Sequence, residues 1–183
     1  MEHPTKASLR MEARRILAGL SIAARRSGSA EICRRIVALP EWAAAGTVAL
    51  YAALPSEPDL APLLNAPGKL FCFPRISGDA LEFHGCQSME FLRPGAWNLL
   101  EPDPQVCPIV RASEIDLFLM PGLAFTAAGG RLGRGGGFYD RFLSGVAPRA
   151  ARVGVCFHAQ LVAALPREMH DHTVDLVVTE QPR

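Results

Sequence analysis

Glycine and arginine residues that could bind an anion are concentrated in one short segment of this chain. Residues 129–137 read GGRLGRGGG, which is six glycines, two arginines and one leucine. Because glycine has no side chain, such a loop can bring its backbone N–H groups close to a bound ligand. Arg131 and Arg134 add permanent positive charge with a planar fork of donors. The segment therefore predicts a site for a phosphate group.

The segments on either side of this glycine-rich loop are apolar. Asp116–Phe125 precedes it and predicts a strand, and Phe138–Leu143 follows with the apolar spacing of a helix start. A strand, a glycine-rich loop and a helix start in this order suit phosphate, although neither G-x-x-x-x-G-K-[ST] nor G-x-G-x-x-G occurs here. A plain surface loop and an Arg–Gly nucleic-acid segment are the alternatives, and the apolar flanks argue against the second.

Two acidic residues follow the apolar run Thr47–Leu54, which predicts a buried strand. Glu57 and Asp59 lie within S-E-P-D, a pattern that is typical of a helix start and predicts a helix over Ser56–Leu64. In parallel α/β sheets, ligands bind where strands end in this way. The acids could therefore cap a helix or contact a ligand.

Three basic residues lie four positions apart near the start of the chain: Lys6, Arg10 and Arg14. They fall on one side of a predicted amphipathic helix, Lys6–Leu20, beside its apolar stripe. A basic stripe on a helix is most often a solvated face. The sequence alone does not assign it a ligand.

The segment before the last predicted strand contains two histidines. His170 and His172 would share a face of an extended chain, as two ligands of a metal ion could. No third nitrogen or sulfur ligand accompanies them, so a zinc site is not expected.

The remaining pattern predicts alternating helices and strands, and hence a three-layer α/β fold with a largely parallel sheet in one domain, 1–183. A second helix is predicted over Ser29–Leu39, and Phe91–Pro104 is expected to be a surface loop containing Trp97. Further strands are predicted at Lys69–Arg75, ended by Pro74, and at Leu81–Cys86, Arg152–Phe157 and Asp175–Glu180, with a hairpin around Gly78 and Asp79.

The composition limits the classes of protein that this chain can belong to. Hydrophobic residues make up 49% and charged residues 20%, which favours a folded protein over a disordered one. A net charge of +1 gives no general attraction for nucleic acid. The charged residues near the start and the lack of a long apolar run predict neither a signal peptide nor a membrane span. Five cysteines without a C-x-x-C pair indicate reduced thiols and a cytoplasmic protein.

The segment Met120–Leu143 resembles the signature of the 5-formyltetrahydrofolate cyclo-ligase family, P-G-x-A-F-D-x-x-G-x-R-L-G-x-G-x-G-Y-Y-D-R-x-L. The matching residues are Pro121, Gly122, Ala124, Phe125, Gly130 or its neighbour Gly129, Arg131, Leu132, Gly133, Gly135, Gly137, Tyr139, Asp140, Arg141 and Leu143. Thr126 replaces the usual acid and Phe138 replaces the first tyrosine. The resemblance extends to a K-x-x-L-R start at Lys6 and an H-D-x-x-V-D pattern near the end.

The resemblance implies a Rossmann-like fold shared with sugar-phosphate isomerases and CoA transferases. It also implies that ATP and Mg²⁺ drive the cyclisation of 5-formyltetrahydrofolate to 5,10-methenyltetrahydrofolate, with release of ADP and phosphate. The protein would be a monomer that binds this folate and neither nucleic acid nor a membrane. A sugar-phosphate isomerase-like enzyme of the same fold, or an Arg/Gly nucleic-acid-binding module, are the alternatives.

The resemblance also implies which residues form the site, and it gives Arg134 and Tyr139 catalytic roles. The implied ATP site consists of Lys6, Arg10, Arg131, Leu132, Gly133, Arg134, Gly135, Gly136, Gly137, Phe138 and Tyr139. The implied folate site consists of Leu54, Glu57, Asp59, Trp97, Arg134, Gly135, Gly136, Gly137 and Phe138. Asp140 and Asp175 are the implied Mg²⁺ ligands. An acid at the start of a parallel strand would face away from the ligand, so we expect the last strand to be antiparallel or Asp175 to lie before it.

Overall fold

The computed structural model describes residues 4–145 and 150–182, and in these ranges it contains four α-helices and eleven strands. The helices are α1 Lys6–Gly19, α2 Ile22–Val37, α3 Pro40–Ala44 and α4 Phe138–Ser144. The strands are β1 Thr47–Ala49, β2 Leu70–Ser77, β3 Ala80–Gly85, β4 Leu92–Pro94, β5 Leu100–Pro102, β6 Ile109–Val110, β7 Leu117–Met120, β8 Ala124–Phe125, β9 Arg131–Leu132, β10 Ala151–Val155 and β11 Leu176–Val178. No helix in the described ranges is long and apolar enough to cross a membrane.

Seven strands form one sheet, in the order β11-β10-β7-β1-β2-β3-β6. The first five of these run parallel to one another. The pairs β2–β3 and β3–β6 are antiparallel. Short antiparallel pairs, β4–β5 and β8–β9, lie outside this sheet. The predicted α/β fold with a largely parallel sheet is confirmed.

Alternate side chains of the parallel strands enter two separate apolar layers, as the pleat of a sheet requires. One layer packs against α1, α2 and α3 and includes Val48, Leu50, Phe71, Phe73, Leu117, Leu119, Val153 and Val178. The other packs against α4 and includes Ala49, Cys72, Phe118, Met120 and Val177. Each large apolar side chain buried in this way stabilises the fold by roughly 1.5–3 kcal/mol. Helices thus cover both faces, which gives the predicted three layers.

The first two helices begin at side-chain caps. Thr5 accepts a hydrogen bond from the N–H of Ser8, and α1 ends at Gly19, close to its predicted end. Ser21 caps α2, which therefore starts well before the predicted Ser29. Gly28 lies inside α2, where an added Cβ would come within 3.0 Å of the Phe157 ring. Glycine at this position therefore permits the close packing of α2 against Phe157.

The predicted helix Ser56–Leu64 is wrong, since the chain forms a turn and then a 3₁₀ helix at Ala61–Asn65. Its backbone donors find other partners. The N–H of Asp59 donates to the hydroxyl of Ser29 in α2 at 3.0 Å, and the N–H of Leu54 donates to the carboxylate of Glu57. Strand β1 also ends at Ala49, five residues earlier than predicted.

Strand β2 continues through Pro74 to Ser77, so the prediction that Pro74 ends it is wrong. Beyond Cys72 the strand β1 no longer pairs with β2, so the missing N–H of proline costs no ladder bond. The N–H of Ile76 at the same edge donates to the carboxylate of Glu101 instead. The predicted hairpin around Gly78 is confirmed by the β2–β3 pairing.

Two other predicted segments are divided more finely than expected. The predicted loop Phe91–Pro104 contains the β4–β5 pair, and the predicted strand Asp116–Phe125 breaks after Met120 into β7 and β8. Strand β8 turns back onto β9, and Thr126 accepts a hydrogen bond from the N–H of Gly130 in this turn at 2.9 Å. The threonine that replaces the family acid thus closes the turn before the glycine-rich loop.

Candidate active site

A cavity of about 800 Å³ lies at the carboxyl ends of the central strands. Tyr51 follows β1 and Pro121 follows β7, and both residues line it. Its other walls come from the first turns of α1, the β2–β3 and β4–β5 hairpins, the glycine-rich loop, α4 and residues 168–171. This is the edge at which parallel α/β sheets bind ligands.

The glycine-rich loop forms one wall of the cavity. Its backbone takes a conformation that would be strained at a residue with a side chain. Gly135 has φ +114° and Gly137 has φ +67°, in the region that favours glycine. Gly137 is the residue before α4 and accepts the first backbone bond of that helix, from Arg141. Backbone N–H groups and the start of α4 are therefore exposed to a ligand in the cavity.

Arg134 is held against the cavity by a buried carboxylate. Its Nε and Nη2 donate to Oε1 of Glu57 at 3.1 and 2.7 Å, and Oε2 of Glu57 accepts from the N–H of Leu54 at 3.0 Å. The side chain of Glu57 is 6% exposed and that of Arg134 is 39% exposed. Glu57 therefore holds the Nε and Nη2 side of the guanidinium, and Nη1 remains available to donate to a ligand.

A second cluster of polar side chains in the cavity wall is formed by Arg131, Tyr139 and Asp140. The Arg131 side chain is 3% exposed, donates to Oδ1 of Asp140 at 3.0 Å and lies over the Tyr139 ring. Its Nε is buried without a partner among the described residues. Oδ1 of Asp140 also accepts from the N–H of His172 at 3.2 Å.

The hydroxyl of Tyr139 stays protonated at neutral pH. Burial raises the pKa of this phenol above its ordinary value, although the positive charge of Arg131 acts in the opposite direction. Tyr139 lines the cavity, so its hydroxyl can donate a hydrogen bond to a ligand.

Helix α1 brings Lys6 and Arg10 to the same cavity. Lys6 donates to both carboxylate oxygens of Asp171 at 2.7 Å and lies 3.3 Å from Glu168. Burial lowers the pKa of Lys6, but the hydrogen bonds to these two acids outweigh it and raise the pKa. Arg10 donates through Nε to the carbonyl of Gly133 at 3.0 Å. The basic stripe is thus partly a wall of the cavity.

Aromatic and aliphatic side chains form the part of the cavity near the two hairpins. Trp97 is 70% exposed, has φ +53°, and its ring lies 5.2 Å from that of Phe138 in an edge-to-face arrangement. Ile76 and Leu81, which face each other across the β2–β3 hairpin, line the same part. Such a surface suits a flat aromatic ligand.

The structure brings the residues of the predicted ATP site together, and all of them line the cavity. Among the predicted folate residues, Leu54, Glu57 and Trp97 line it as well. Asp59 does not: it is exposed, and its carboxylate accepts from the N–H of Ala61 at the start of the 3₁₀ helix. The carboxylate of Asp59 is thus used in a local hydrogen bond, whereas the predicted helix Ser56–Leu64 that it could have capped does not form.

Asp175 does not line the cavity either, and the prediction that it shares a site with Asp140 is not supported. The last strand, β11, runs parallel to β10 and begins at Leu176, so the antiparallel alternative is wrong and the other alternative, that Asp175 lies before the strand, is the one observed. Asp175 stands at the amino end of β11, where its carboxylate accepts from the backbone N–H and the guanidinium of Arg152. A parallel strand start cannot present an acid at the carboxyl edge.

Three cavity residues near the end of the chain lie outside the predicted site: Glu168, Asp171 and His170, which the sequence analysis considered only as a metal ligand beside His172. Among the described residues, they form a group whose possible ligand atoms lie within 4.8 Å of one another. His172 lies outside this group and contacts the hydroxyl of Ser144. The H-D-x-x-V-D pattern contains Asp171 as well as Asp175; Asp171 lies in the cavity beside Lys6, whereas Asp175 lies outside it beside Arg152.

Several proteins resemble this chain in sequence, and one of them has a similar solved fold. A solved 5,10-methenyltetrahydrofolate synthetase of Aquifex aeolicus is 33% identical, with a TM-score of 0.84 over 97% of this chain and 90% of that one. The chain is 34% identical over 141 residues to the 5-formyltetrahydrofolate cyclo-ligase of Mycolicibacterium smegmatis, covering 73% of each chain. It is 32% identical to that of Escherichia coli K12 over 152 residues, covering 79% of this chain and 84% of the relative.

A profile of the 5-formyltetrahydrofolate cyclo-ligase family matches residues 2–180, nearly the whole sequence. The match includes the glycine-rich loop, both hairpins and the helix α1, which together form the cavity. The chain belongs to the 5-formyltetrahydrofolate cyclo-ligase family.

Proposed function

We propose that this protein uses ATP to cyclise 5-formyltetrahydrofolate to 5,10-methenyltetrahydrofolate, releasing ADP and phosphate. The observation that carries the proposal is that one cavity combines a cationic glycine-rich wall with an aromatic wall. The cationic wall suits the negative charge of a triphosphate, and the aromatic wall suits the flat rings of a folate. Both substrates must meet in one space for phosphoryl transfer between them.

The triphosphate would lie along the glycine-rich loop. Arg134 offers Nη1 there, while Lys6 and Arg10 approach from α1. Lys6 is now paired with Asp171 and would have to share or exchange that partner for a phosphate. Charge-assisted bonds of this kind are short and strong, and they neutralise charge where phosphoryl transfer develops it.

The folate would lie against the aromatic wall. Trp97 and Phe138 present their rings to the cavity, and the buried carboxylate of Glu57 borders the same space. Both carboxylate oxygens of Glu57 already accept hydrogen bonds, from Arg134 and from the N–H of Leu54, so its role here is to hold Arg134 in place. Asp59 has no part in this proposal because its carboxylate caps the neighbouring 3₁₀ helix.

The reaction balances without a protein nucleophile. The formyl oxygen on N5 attacks the γ-phosphorus of ATP, the bond to the β-phosphate oxygen breaks, and ADP leaves. N10 then attacks the activated formyl carbon, the carbon–oxygen bond breaks, and that oxygen departs in phosphate, which takes up the proton lost from N10. Arg134 would neutralise the transferring phosphoryl group, and the protonated Tyr139 would donate a hydrogen bond. The task of the protein is positioning and charge neutralisation.

Mg²⁺ would accompany the triphosphate, and the carboxylates of Asp140 and Asp171 are the cavity residues that suit it. Both hydrogen bonds to the carboxylate of Asp140 end on Oδ1, so Oδ2 remains for the ion or for one of its waters. The ion supplies neutralisation of phosphate charge. Asp175 is omitted because it lies outside the cavity, beside Arg152.

That the protein acts as a monomer in the cytoplasm remains a prediction. Cys33, Cys72, Cys86 and Cys107 are buried thiols outside any disulfide, which suits a reducing compartment. Burial raises the pKa of the Cys33 thiol to about 11, so this thiol is poorly reactive.

An absorbance assay tests the proposed function. Purified protein is mixed with 5-formyltetrahydrofolate and Mg²⁺, and the methenyl absorption band is followed with and without ATP. We expect the band to grow only when ATP is present, with one ADP released per methenyl group formed. Growth of the band without ATP, or ADP release without the band, would contradict the proposal.

A further inference from the structure

Arg141 lies in the wall of the cavity beside the β2–β3 hairpin, and no step above uses it. Its Nε donates to the carbonyl of Asp79 in the hairpin turn at 3.1 Å. The guanidinium also lies over the Phe138 ring, 4.7 Å from the ring centre. The side chain is exposed, yet two contacts on different elements hold its charge in place.

The charge of Arg141 is not neutralised by a carboxylate. Of the cavity cations, Lys6, Arg131 and Arg134 each pair with an acid. Arg10 and Arg141 donate to backbone carbonyls instead, and no described carboxylate lies within 4 Å of either guanidinium. Arg10 contacts the glycine-rich loop, where phosphates are expected. Arg141 lies beside the last residue of this loop, Gly137, but its hydrogen bond goes to the β2–β3 hairpin turn, so it offers a second positive charge on the hairpin side of the cavity.

The surroundings of Arg141 indicate what kind of anion it would meet. The guanidinium lies over Phe138 and beside Gly137 at the end of the glycine-rich loop, and the neighbouring cavity surface is formed by Trp97, Ile76 and Leu81. A ligand that fits here has a flat aromatic part against the apolar wall and an anionic group just beyond it. A triphosphate has no such apolar part.

We propose that Arg141 binds the glutamate tail of the folate substrate, an assignment that rests on the proposed function. A folate consists of a pterin, an aminobenzoyl ring and a glutamate with two carboxylates. With the benzoyl ring against Trp97 and Phe138, the glutamate reaches Arg141, whose terminal nitrogens form a fork that matches a carboxylate. Additional γ-linked glutamates each add one carboxylate, so Arg141 is a determinant of preference for the length of the tail.

The test compares three substrates that differ only in the tail: 5-formyltetrahydropteroate, which lacks glutamate, the monoglutamate and the triglutamate. For the Arg141→Ala variant we expect kcat/KM to fall roughly 5- to 30-fold with either glutamate form, as for one exposed charge-assisted contact. The value for the pteroate and the KM for ATP should stay unchanged. Arg141→Gln retains a donor for the Asp79 carbonyl and removes only the charge, so it should show the same pattern without loss of thermal stability.

Arg93→Ala is the matched control, because Arg93 is an exposed arginine of the neighbouring β4 strand that lies outside the cavity wall. It should leave all three kcat/KM values unchanged. An equal loss with all three substrates, or a raised KM for ATP, in both Arg141 variants would overturn the proposal. Calorimetric binding of the same three ligands without ATP keeps the test independent of turnover. Loss of the tail-dependent part of the affinity in Arg141→Gln would support the site even if no methenyl product formed, and an unchanged affinity would overturn it.

Discussion

Glu57 is predicted to act through Arg134, and a double-mutant cycle can show whether it does. Oε1 of Glu57 accepts two bonds from the guanidinium, at 2.7 and 3.1 Å, and the carboxylate is almost fully buried. Glu57→Gln keeps the shape and an acceptor for the N–H of Leu54 but removes the charge. Arg134 therefore loses its anchor, while the local backbone keeps its bond.

The expected magnitude follows from the exposure of the pair. A hydrogen bond to a charged group contributes about 1.5–3 kcal/mol, and the 39% exposure of Arg134 reduces this to about 1–2 kcal/mol. Since about 1.4 kcal/mol corresponds to a factor of ten, kcat/KM should fall roughly 5- to 30-fold in Glu57→Gln. Arg134→Ala removes the contact to the phosphoryl group itself and should lower kcat/KM roughly 10- to 1000-fold.

The assay measures kcat/KM for the two single variants and the double variant by methenyl absorbance. If Glu57 only positions Arg134, the double variant should be no slower than Arg134→Ala alone, with a coupling of about 1–2 kcal/mol. Glu101→Gln is a matched control, because Glu101 is also a buried cavity glutamate that accepts a backbone N–H. Its effect should add to that of Arg134→Ala. Additive losses for Glu57→Gln would refute the positioning role and indicate a separate contact with substrate.

Three further predictions concern the remaining groups of the cavity. Asp140→Asn and Asp171→Asn should each raise the Mg²⁺ concentration needed for half-maximal rate, whereas Asp175→Asn, which breaks a contact outside the cavity, should leave it unchanged and lower the melting temperature by a few degrees. Tyr139→Phe should lower kcat roughly 10-fold with little change in either KM, because it removes one hydrogen-bond donor; an unchanged kcat would remove Tyr139 from the mechanism. The Lys6–Asp171 ion pair should stabilise the folded protein fully between the ordinary pKa of aspartate and the ordinary pKa of lysine. Because the pKa of Asp171 is lowered and that of Lys6 is raised in the folded protein, this stabilisation is lost as the pH falls through the lowered value or rises through the raised one. In the Asp171→Asn variant, the melting temperature should therefore depend less steeply on pH in the acidic range.

The parallel sheet and the glycine-rich loop could be predicted because their signals are local. An apolar run such as Asp116–Phe125 indicates a buried segment without reference to the rest of the chain. At positions 135 and 137 the backbone has a positive φ, which favours glycine. The pattern therefore gives both the position of the loop and its place between a strand and a helix.

The helix Ser56–Leu64 could not be excluded from sequence, because the competing partners are distant. Asp59 donates its N–H to Ser29, thirty residues away on α2, and no local pattern reveals that contact. A capping pattern shows only that a segment can start a helix. In the folded protein, hydrogen bonds to distant residues stabilise a turn at this position instead of a helix.

Which of the two acids, Asp171 or Asp175, lies in the cavity depends on the direction of the last strand, and this direction could not be predicted from the sequence. In β11 the parallel direction places Asp175 at the amino end, beside Arg152, and Asp171 in the preceding segment beside Lys6. The charge of Lys6 near the start of the chain was visible from the sequence. Its partner 165 positions later became visible only in the fold.

Oxygen transfer from the formyl group to phosphate tests the central claim most directly. The protein is supplied with Mg·ATP and 5-formyltetrahydrofolate that carries ¹⁸O in its formyl group, and the released phosphate is analysed by mass spectrometry. If the formyl oxygen attacks the γ-phosphorus, each phosphate formed along with a methenyl group carries one ¹⁸O atom. Phosphate without ¹⁸O, formed while the methenyl band grows, would contradict the account.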